Sequence, residues 1–334
     1  MMPAAIGGYF GLVCPPQPQP FRPTAHRFQS ARAAFHALLQ AGQPRRVWMP
    51  SYTCDALFTP LAALNIEAVV YELTAAFAVP DTVKLAADDW LVYVNYFGVC
   101  HAQEQALLRR FSPMQLVFDR TQALFAPPHA SLAAIYSPRK FFGVPDGGLL
   151  DTALPLTLPD AVDTGSVARC THLLRRRDAG AEAGYADFQR AESSLENSQP
   201  LRMSALSAAL LDSQDTNLAR RQRTENFACL HRALGQANTF PLDLAAIEGA
   251  MCYPFLSADP TLRQRLLAAR IFVPRYWPEV AERAAPNSPA QHWVAQCLPL
   301  PCDQRYGAAE MARIVSVVLE AVHGLASEGA AKTK

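Results

Sequence analysis

Lysine is almost missing from this chain. Of its 30 basic residues only four are lysines, Lys84, Lys140, Lys332 and Lys334, the other 26 being arginine. Chemistry that needs a side-chain amine therefore has few places to reside. The last two lysines fall in a polar tail of the kind that frays, which leaves Lys84 and Lys140 as candidates. An excess of charge is missing as well, since 30 Lys plus Arg stand against 29 Asp plus Glu. That balance excludes the broad basic surface that non-specific nucleic-acid or anionic-membrane binding requires, and a small-molecule substrate is the expected partner. No stretch has the length and apolarity of a membrane span. The start, Met1-Met2-Pro3-Ala4-Ala5-Ile6-Gly7-Gly8, lacks the basic and apolar regions of a signal peptide, so a soluble, cytoplasmic protein is expected. The eight cysteines, Cys14, Cys54, Cys100, Cys170, Cys229, Cys252, Cys297 and Cys302, form no CxxC pair and no Cys/His cluster at zinc spacing. Buried free thiols are expected, with neither a disulfide framework nor a metal.

Apolar residues, by contrast, are plentiful: half of the 334 residues are hydrophobic, enough for a core above the size at which one core commonly divides. Two domains are expected, a large one over 1–205 and a smaller C-terminal one over 206–334. The first half alternates short β-branched apolar runs, at 46–49, 67–73, 90–96, 115–119, 132–137 and 147–151, with helical patterns at 30–40, 54–64 and 103–111. This alternation predicts an α/β layer on a mostly parallel sheet, whose ligands collect beyond the carboxyl ends of the strands. Apolar spacing at Leu206, Leu210, Leu211 and Leu218 predicts one long helix over 204–234. The remainder reads as a smaller α+β unit closing on a helix over 308–322, and the Pro-rich stretch 15–23 as an extended arm.

One window concentrates reactive residue types. Phe118-Asp119-Arg120-Thr121-Gln122 is followed by Tyr136-Ser137-Pro138-Arg139-Lys140-Phe141-Phe142, then by Gly147-Gly148. An acid stands at one strand end and a serine and a lysine after the next. A lysine beside a turn is most often a surface cation, which is the reading for Lys84. Lys140 differs because Tyr136, Phe141 and Phe142 surround it with apolar bulk, where an ammonium is costly and its pKa falls. Pyridoxal-phosphate (PLP) chemistry needs these parts: an amine to form an imine, a carboxylate to keep the pyridine nitrogen protonated, and hydroxyl or backbone donors for the phosphate.

Here the chain resembles the DegT/DnrJ/EryC1/StrS sugar aminotransferases, which are PLP enzymes of fold-type I. In that family an Asp, followed three residues later by Gln or His, precedes the cofactor lysine; Asp119, Gln122 and Lys140 stand at those places. Ser137, three residues before the lysine, matches a phosphate ligand. The family's Ser-Gly-Thr-Ala turn at a helix start corresponds to Ser30-Ala31-Arg32-Ala33, with an arginine where the threonine hydroxyl would be. Its Pro-x-x-Thr-aromatic segment corresponds to Pro50-Ser51-Tyr52-Thr53-Cys54, which puts Cys54 where an aromatic would stack on the ring and leaves Tyr52 and Tyr96 as alternative aromatic faces. Pro200-Leu201-Arg202-Met203 resembles the family's Asn-x-Arg-Met segment, with Pro200 in place of the Asn, and Arg202 is carried over as a structural match. Residues 297–306 resemble the closing strand of the small domain in a divergent branch.

The resemblance implies a cytoplasmic homodimer with PLP as cofactor. Lys140 and Asp119 would be catalytic, and Ser30, Ala31, Arg32, Cys54, Gln122 and Ser137 would complete the cofactor site. The implied reaction is transfer of an amino group to a nucleotide-linked keto-sugar or a similar small carbonyl compound, in polysaccharide biosynthesis. A PLP-dependent dehydratase or lyase, and a non-catalytic binder of PLP or a sugar nucleotide, are the alternatives. Taken singly, Ser30 reads as an ordinary helix cap, Cys54 as a core thiol, and Arg175-Arg176-Arg177 as a solvated face.

Overall fold

The computed structural model describes residues 8–197, 199–244 and 247–332; the readings made on the first seven residues and on Thr333 and Lys334 lie outside it. Seven strands form one sheet: β1 (His26–Phe28), β2 (Arg46–Pro50), β3 (Glu67–Tyr71), β4 (Asp89–Val94), β5 (Leu116–Asp119), β6 (Ala133–Tyr136) and β7 (Gly148–Thr152). Their order is β1-β7-β6-β5-β4-β2-β3. Strands β2 to β6 run parallel, and β7 and β1 close one edge antiparallel. Every residue of β4, β5 and β6 is buried, as expected of parallel strands covered on both faces.

One face is covered by α1 (Ala31–Gly42), whose Ala34, Phe35, Leu38 and Leu39 join Val47, Val92, Val117 and Ile135 in one core. On the other face a larger core runs continuously from Tyr52, Leu91 and Phe118 to Phe255, Trp293 and Ile314. Helices α2 (Phe58–Ala63) and α3 (His101–Arg110) fill the early crossovers. Residues 54–64 are a 3₁₀ turn followed by α2 rather than one helix. Restarting at Phe58 places Pro60 in a first turn, where its missing N–H breaks no ladder. After β7 come α4 (Ser166–Arg169), α5 (Thr171–Ala179) and α6 (Tyr185–Ser193).

The helix expected over 204–234 is two, α7 (Ala205–Asp212) and α8 (Thr216–Leu234). Asp215 accounts for the break: its carboxylate accepts from the Leu218 N–H at 2.8 Å, and such a cap starts a new helix whatever the apolar spacing around it. The rest is a two-stranded antiparallel sheet, β8 (Tyr253–Leu256) with β9 (Cys297–Leu300), together with α9 (Leu262–Ala268), α10 (Val280–Arg283), α11 (Pro289–Gln296) and α12 (Ala308–Lys332). This last helix runs ten residues beyond the one expected from apolar spacing.

Many of the arginines hold loops together through main-chain oxygens. Arg110 donates to the carbonyls of Val79, Pro80 and Val83 at 2.6–2.9 Å. Arg263 reaches those of Val273, Pro274 and Cys297 at 2.9–3.0 Å, and Arg283 those of Ser51 and Thr53. A planar fork of five donors suits this work; a lysine ammonium does not. The eight cysteines are free, and among the described residues no helix is long and apolar enough to cross a membrane.

Candidate functional site

Parallel pairing brings the carboxyl ends of β4, β5 and β6 to one edge of the sheet. Asp119 is the last residue of β5, and Ser137 follows β6 and leads into a 3₁₀ turn, Pro138–Lys140. Across that edge the Lys140 ammonium donates to the Thr121 hydroxyl at 3.1 Å. Thr121 in turn donates its backbone N–H to the Asp119 carboxylate at 2.9 Å. Asp119 and Thr121 are buried.

Lys140 opens onto a cavity of about 540 Å³ whose walls include Phe142, Met251, Tyr276, Asp303 and Ile314. Lys140 is an exposed residue at that opening. The protein packed around the amine holds it below the ordinary lysine value, with Asp119 and Cys54 acting the other way. Burial pushes the Asp119 carboxyl above the usual carboxylate range against the pull of Lys140 and the Thr121 hydrogen bond. Both groups are thereby moved toward neutrality, a condition common at reactive sites.

The other residues singled out from the sequence gather around this pair or close to it. Cys54 is half-buried and its sulfur accepts from the Ala56 N–H at 3.4 Å. Burial raises its thiol pKa while the nearby charges of Lys140 and Arg32 lower it, so the three side chains share one electrostatic neighbourhood. Ser30 caps α1, its hydroxyl accepting from the Ala33 N–H at 3.1 Å, and Ala31 is the first residue of that helix. Arg32 donates to the Leu195 carbonyl at 2.7 Å, and its Nε is buried without a hydrogen-bond partner.

The start of α1 is fixed by two glycines. Gly147, at φ +123°, bridges to Ser30, and a Cβ on Gly148 would lie 2.3 Å from the Ser30 carbonyl. Only glycine lets β7 approach this closely. Gln122 is fully buried; its side-chain oxygen accepts from the Phe97 N–H at 2.7 Å, and its Nε2 has no partner. Phe97 itself sits at φ +57°, a left-handed conformation costly for a bulky residue and held by its surroundings. The side chain of Ser137 caps nothing.

Three further readings concern residues outside this pair. Tyr52 and Tyr96 stack on each other at 5.4 Å, with the Tyr96 hydroxyl donating to the Tyr52 carbonyl at 2.7 Å. Both are buried among Trp277, Trp293 and Phe77, so they pack. Arg202 donates to the Asp160 carbonyl at 2.9 Å and its backbone bridges Phe28 and Val162, which makes it a tie at the sheet's antiparallel edge. Arg175, Arg176 and Arg177 are all exposed, as a solvated face requires; Arg175 pairs with Asp187 at 3.1 Å and Arg176 reaches the rim of the cavity.

Thr121 is the residue that sequence reasoning passed over, although its place two residues after Asp119 is the spacing of a local side-chain-to-backbone bond. Another grouping could not be read from spacing at all: His101, Glu104 and His129 lie within 4.8 Å of one another. Arg120 takes both oxygens of that Glu104 carboxylate at 2.9 Å, so the buried charge there is matched by a guanidinium.

No family model matches this chain, and no curated protein matches it either. Solved structures do. S. venezuelae DesV in complex with a ketimine intermediate aligns over 89% of this chain and 84% of its own, at 19% identity and a TM-score of 0.63. A DegT DnrJ EryC1 StrS aminotransferase from Brucella abortus aligns over 89% and 85%, at 15% identity and a TM-score of 0.58. Ntda from Bacillus subtilis, with bound cofactor PMP, aligns over 90% and 73%, at 15% identity and a TM-score of 0.62. The chain shares their fold. That fold is the α/β arrangement of fold-type I, a large, mostly parallel sheet followed by a smaller α+β portion.

Proposed function

We propose that this chain is a PLP-dependent aminotransferase that holds its cofactor at Lys140 and aminates a nucleotide-linked keto-sugar or a similar small carbonyl compound. The observation that carries the reading is the Lys140–Thr121–Asp119 arrangement, in which an amine at the mouth of a cavity is tied through a buried threonine to a buried acid at a strand-end edge. The surrounding donors fit such a cofactor. Arg32 Nε and Gln122 Nε2 are buried and unpartnered, Ser137 has a side chain that caps nothing, and the helix start at Ser30 and Ala31 offers backbone N–H groups to an anion.

When bound, PLP supplies an electron sink for bonds at the substrate's amino-bearing carbon. In this reading Asp119 holds a proton at the pyridine nitrogen, and Ser30, Ala31, Arg32 and Ser137 hold the phosphate. Gln122 donates its spare N–H to the cofactor, and Cys54 covers the ring. The Lys140 amine would move the proton between the substrate carbon and the cofactor as general base and acid, a role helped by a pKa held below the ordinary lysine value. Thr121 accepts from Lys140 and holds it toward Asp119. The reading includes a division near residue 205 into a large cofactor-binding domain and a small C-terminal domain, a homodimer, and a cytoplasmic place in polysaccharide biosynthesis.

Adding PLP to the purified chain is expected to produce a visible band absent from Lys140→Ala, and glutamate is expected to shift it. No band with the wild-type chain overturns the reading. A band that glutamate leaves in place transfers it to dehydratase or lyase chemistry.

A further inference from the structure

We infer that Arg223 and Gln304 are positioning residues for Lys140: together they grip the main-chain carbonyl of Phe141 and so fix the turn that carries the lysine. The inference rests on Lys140 being the functional amine. The Phe141 oxygen accepts from Gln304 Nε2 at 2.6 Å and from Arg223 Nη2 at 3.3 Å, and the two side chains are joined by an Arg223 Nε to Gln304 Oε1 bond at 2.7 Å. The guanidinium also lies 4.5 Å from the centre of the Phe141 ring.

Arg223 is only 2% exposed, and no carboxylate lies within ion-pair distance of it among the described residues. Its remaining donors go to the carbonyls of Ala250 and Met251, both at 3.1 Å. An unpaired buried cation is costly and gives no stability that a well-packed apolar residue would not. It stands on the buried stripe of α8 with Ala219, Phe227 and Leu230, where a leucine would pack without that cost. What an arginine does there that leucine cannot is hold three main-chain oxygens at once, with Gln304 as a fourth acceptor.

The main-chain oxygens belong to the two segments that frame the site. Met251 donates its N–H to the Phe97 carbonyl at 2.9 Å, and Phe97 donates to Gln122, so one hand of Arg223 steadies the strand-end turn beside Gln122. The other holds Phe141, whose own N–H closes the Lys140 turn on the Pro138 carbonyl at 2.9 Å. Gln304 is set by Asn226, one helical turn along α8, which donates to the carbonyls of Cys302, Asp303 and Tyr306. Residues far along the chain thus set the direction in which Lys140 leaves the backbone.

Releasing this grip lets the turn relax and the amine swing further from the surrounding protein and from Thr121 into water, where it reverts toward ordinary lysine behaviour. The test is the pH dependence of acetic anhydride labelling of the full-length, cofactor-free chain, read by mass spectrometry at Lys140 and at exposed Lys84. In Gln304→Ala and Arg223→Met the Lys140 midpoint is expected to rise by about one pH unit, with Lys84 unchanged; Arg223→Lys, which retains a donor, is expected to fall between. Gln304 is half-buried, so its variant decides the matter if Arg223→Met fails to fold. A wild-type midpoint at Lys140 in folded Gln304→Ala overturns the inference, as does an equal shift at Lys84. The labelling needs no cofactor, so absence of PLP binding by the wild-type chain would fall on the proposed function and leave this result to stand by itself.

Discussion

Asp119 is held at a cost to the fold. Its carboxyl is raised by burial, so the folded state disfavours the anion; the cost is absent at pH below the ordinary aspartate value, sets in as pH rises through it, and is complete above the raised value. Asp119→Asn keeps an oxygen for the Thr121 N–H and removes the charge. The variant is expected to melt about 2 °C higher than the wild-type chain at pH 7 without cofactor, with the gain vanishing near pH 3. Thermal melts across that range check it, and a variant less stable at pH 7 would count against the desolvated acid. Thr121→Val removes the acceptor of the Lys140 ammonium at 3.1 Å. Its Lys140 labelling midpoint is expected to fall below the wild-type value, the opposite direction from loss of the Phe141 grip.

At the scale of elements, Gly148→Ala sets a methyl 2.3 Å from the Ser30 carbonyl, an overlap with backbone that no rotamer relieves. The expected loss is about 3 kcal/mol in denaturant titration, together with weakened PLP binding, because the displaced element is the start of α1. Asp215→Ala removes only the cap of α8 and is expected to cost about 1 kcal/mol with PLP binding unchanged. The contrast separates disturbance of the site from disturbance of the scaffold. These elements also mark what the sequence made legible. Strands β2 to β7 were readable because β-branched runs bounded by turn residues are a local signal. β1 was not, since His26-Arg27-Phe28 carries no alternation and pairs only because Gly147 and Gly148 bring β7 to it. Asp119 and Lys140 stood out through composition and strand-end placement. Arg223, Gln304 and the His101–Glu104–His129 grouping are defined by contacts between segments far apart in sequence, and no spacing rule reports those.

Across the whole molecule, the C-terminal third and the sheet share one core. Phe77 from the segment after β3 stacks on Trp293 of α11 at 3.8 Å, and Tyr52 packs against Trp277 and Trp293. Two portions joined this way should unfold together. Calorimetry of the wild-type chain is expected to give one transition, and Trp293→Ala is expected to lower its stability by about 3–5 kcal/mol without splitting that transition; two separate transitions in the wild type would show that the shared aromatics do not couple the halves.

The arginine clamps carry a consequence for how this chain tolerates mutation. A carbonyl oxygen is offered by every residue alike, so a guanidinium that ends on Val79, Pro274 or Ala250 is indifferent to the side chain it meets there. Substitution at such acceptor positions leaves the joint standing, whereas loss of the donor opens it. Drift is thereby channelled into the acceptors, and a backbone path braced in this manner can persist while most of the letters along it are exchanged, which is the relation this chain bears to structures only 15–19% identical to it.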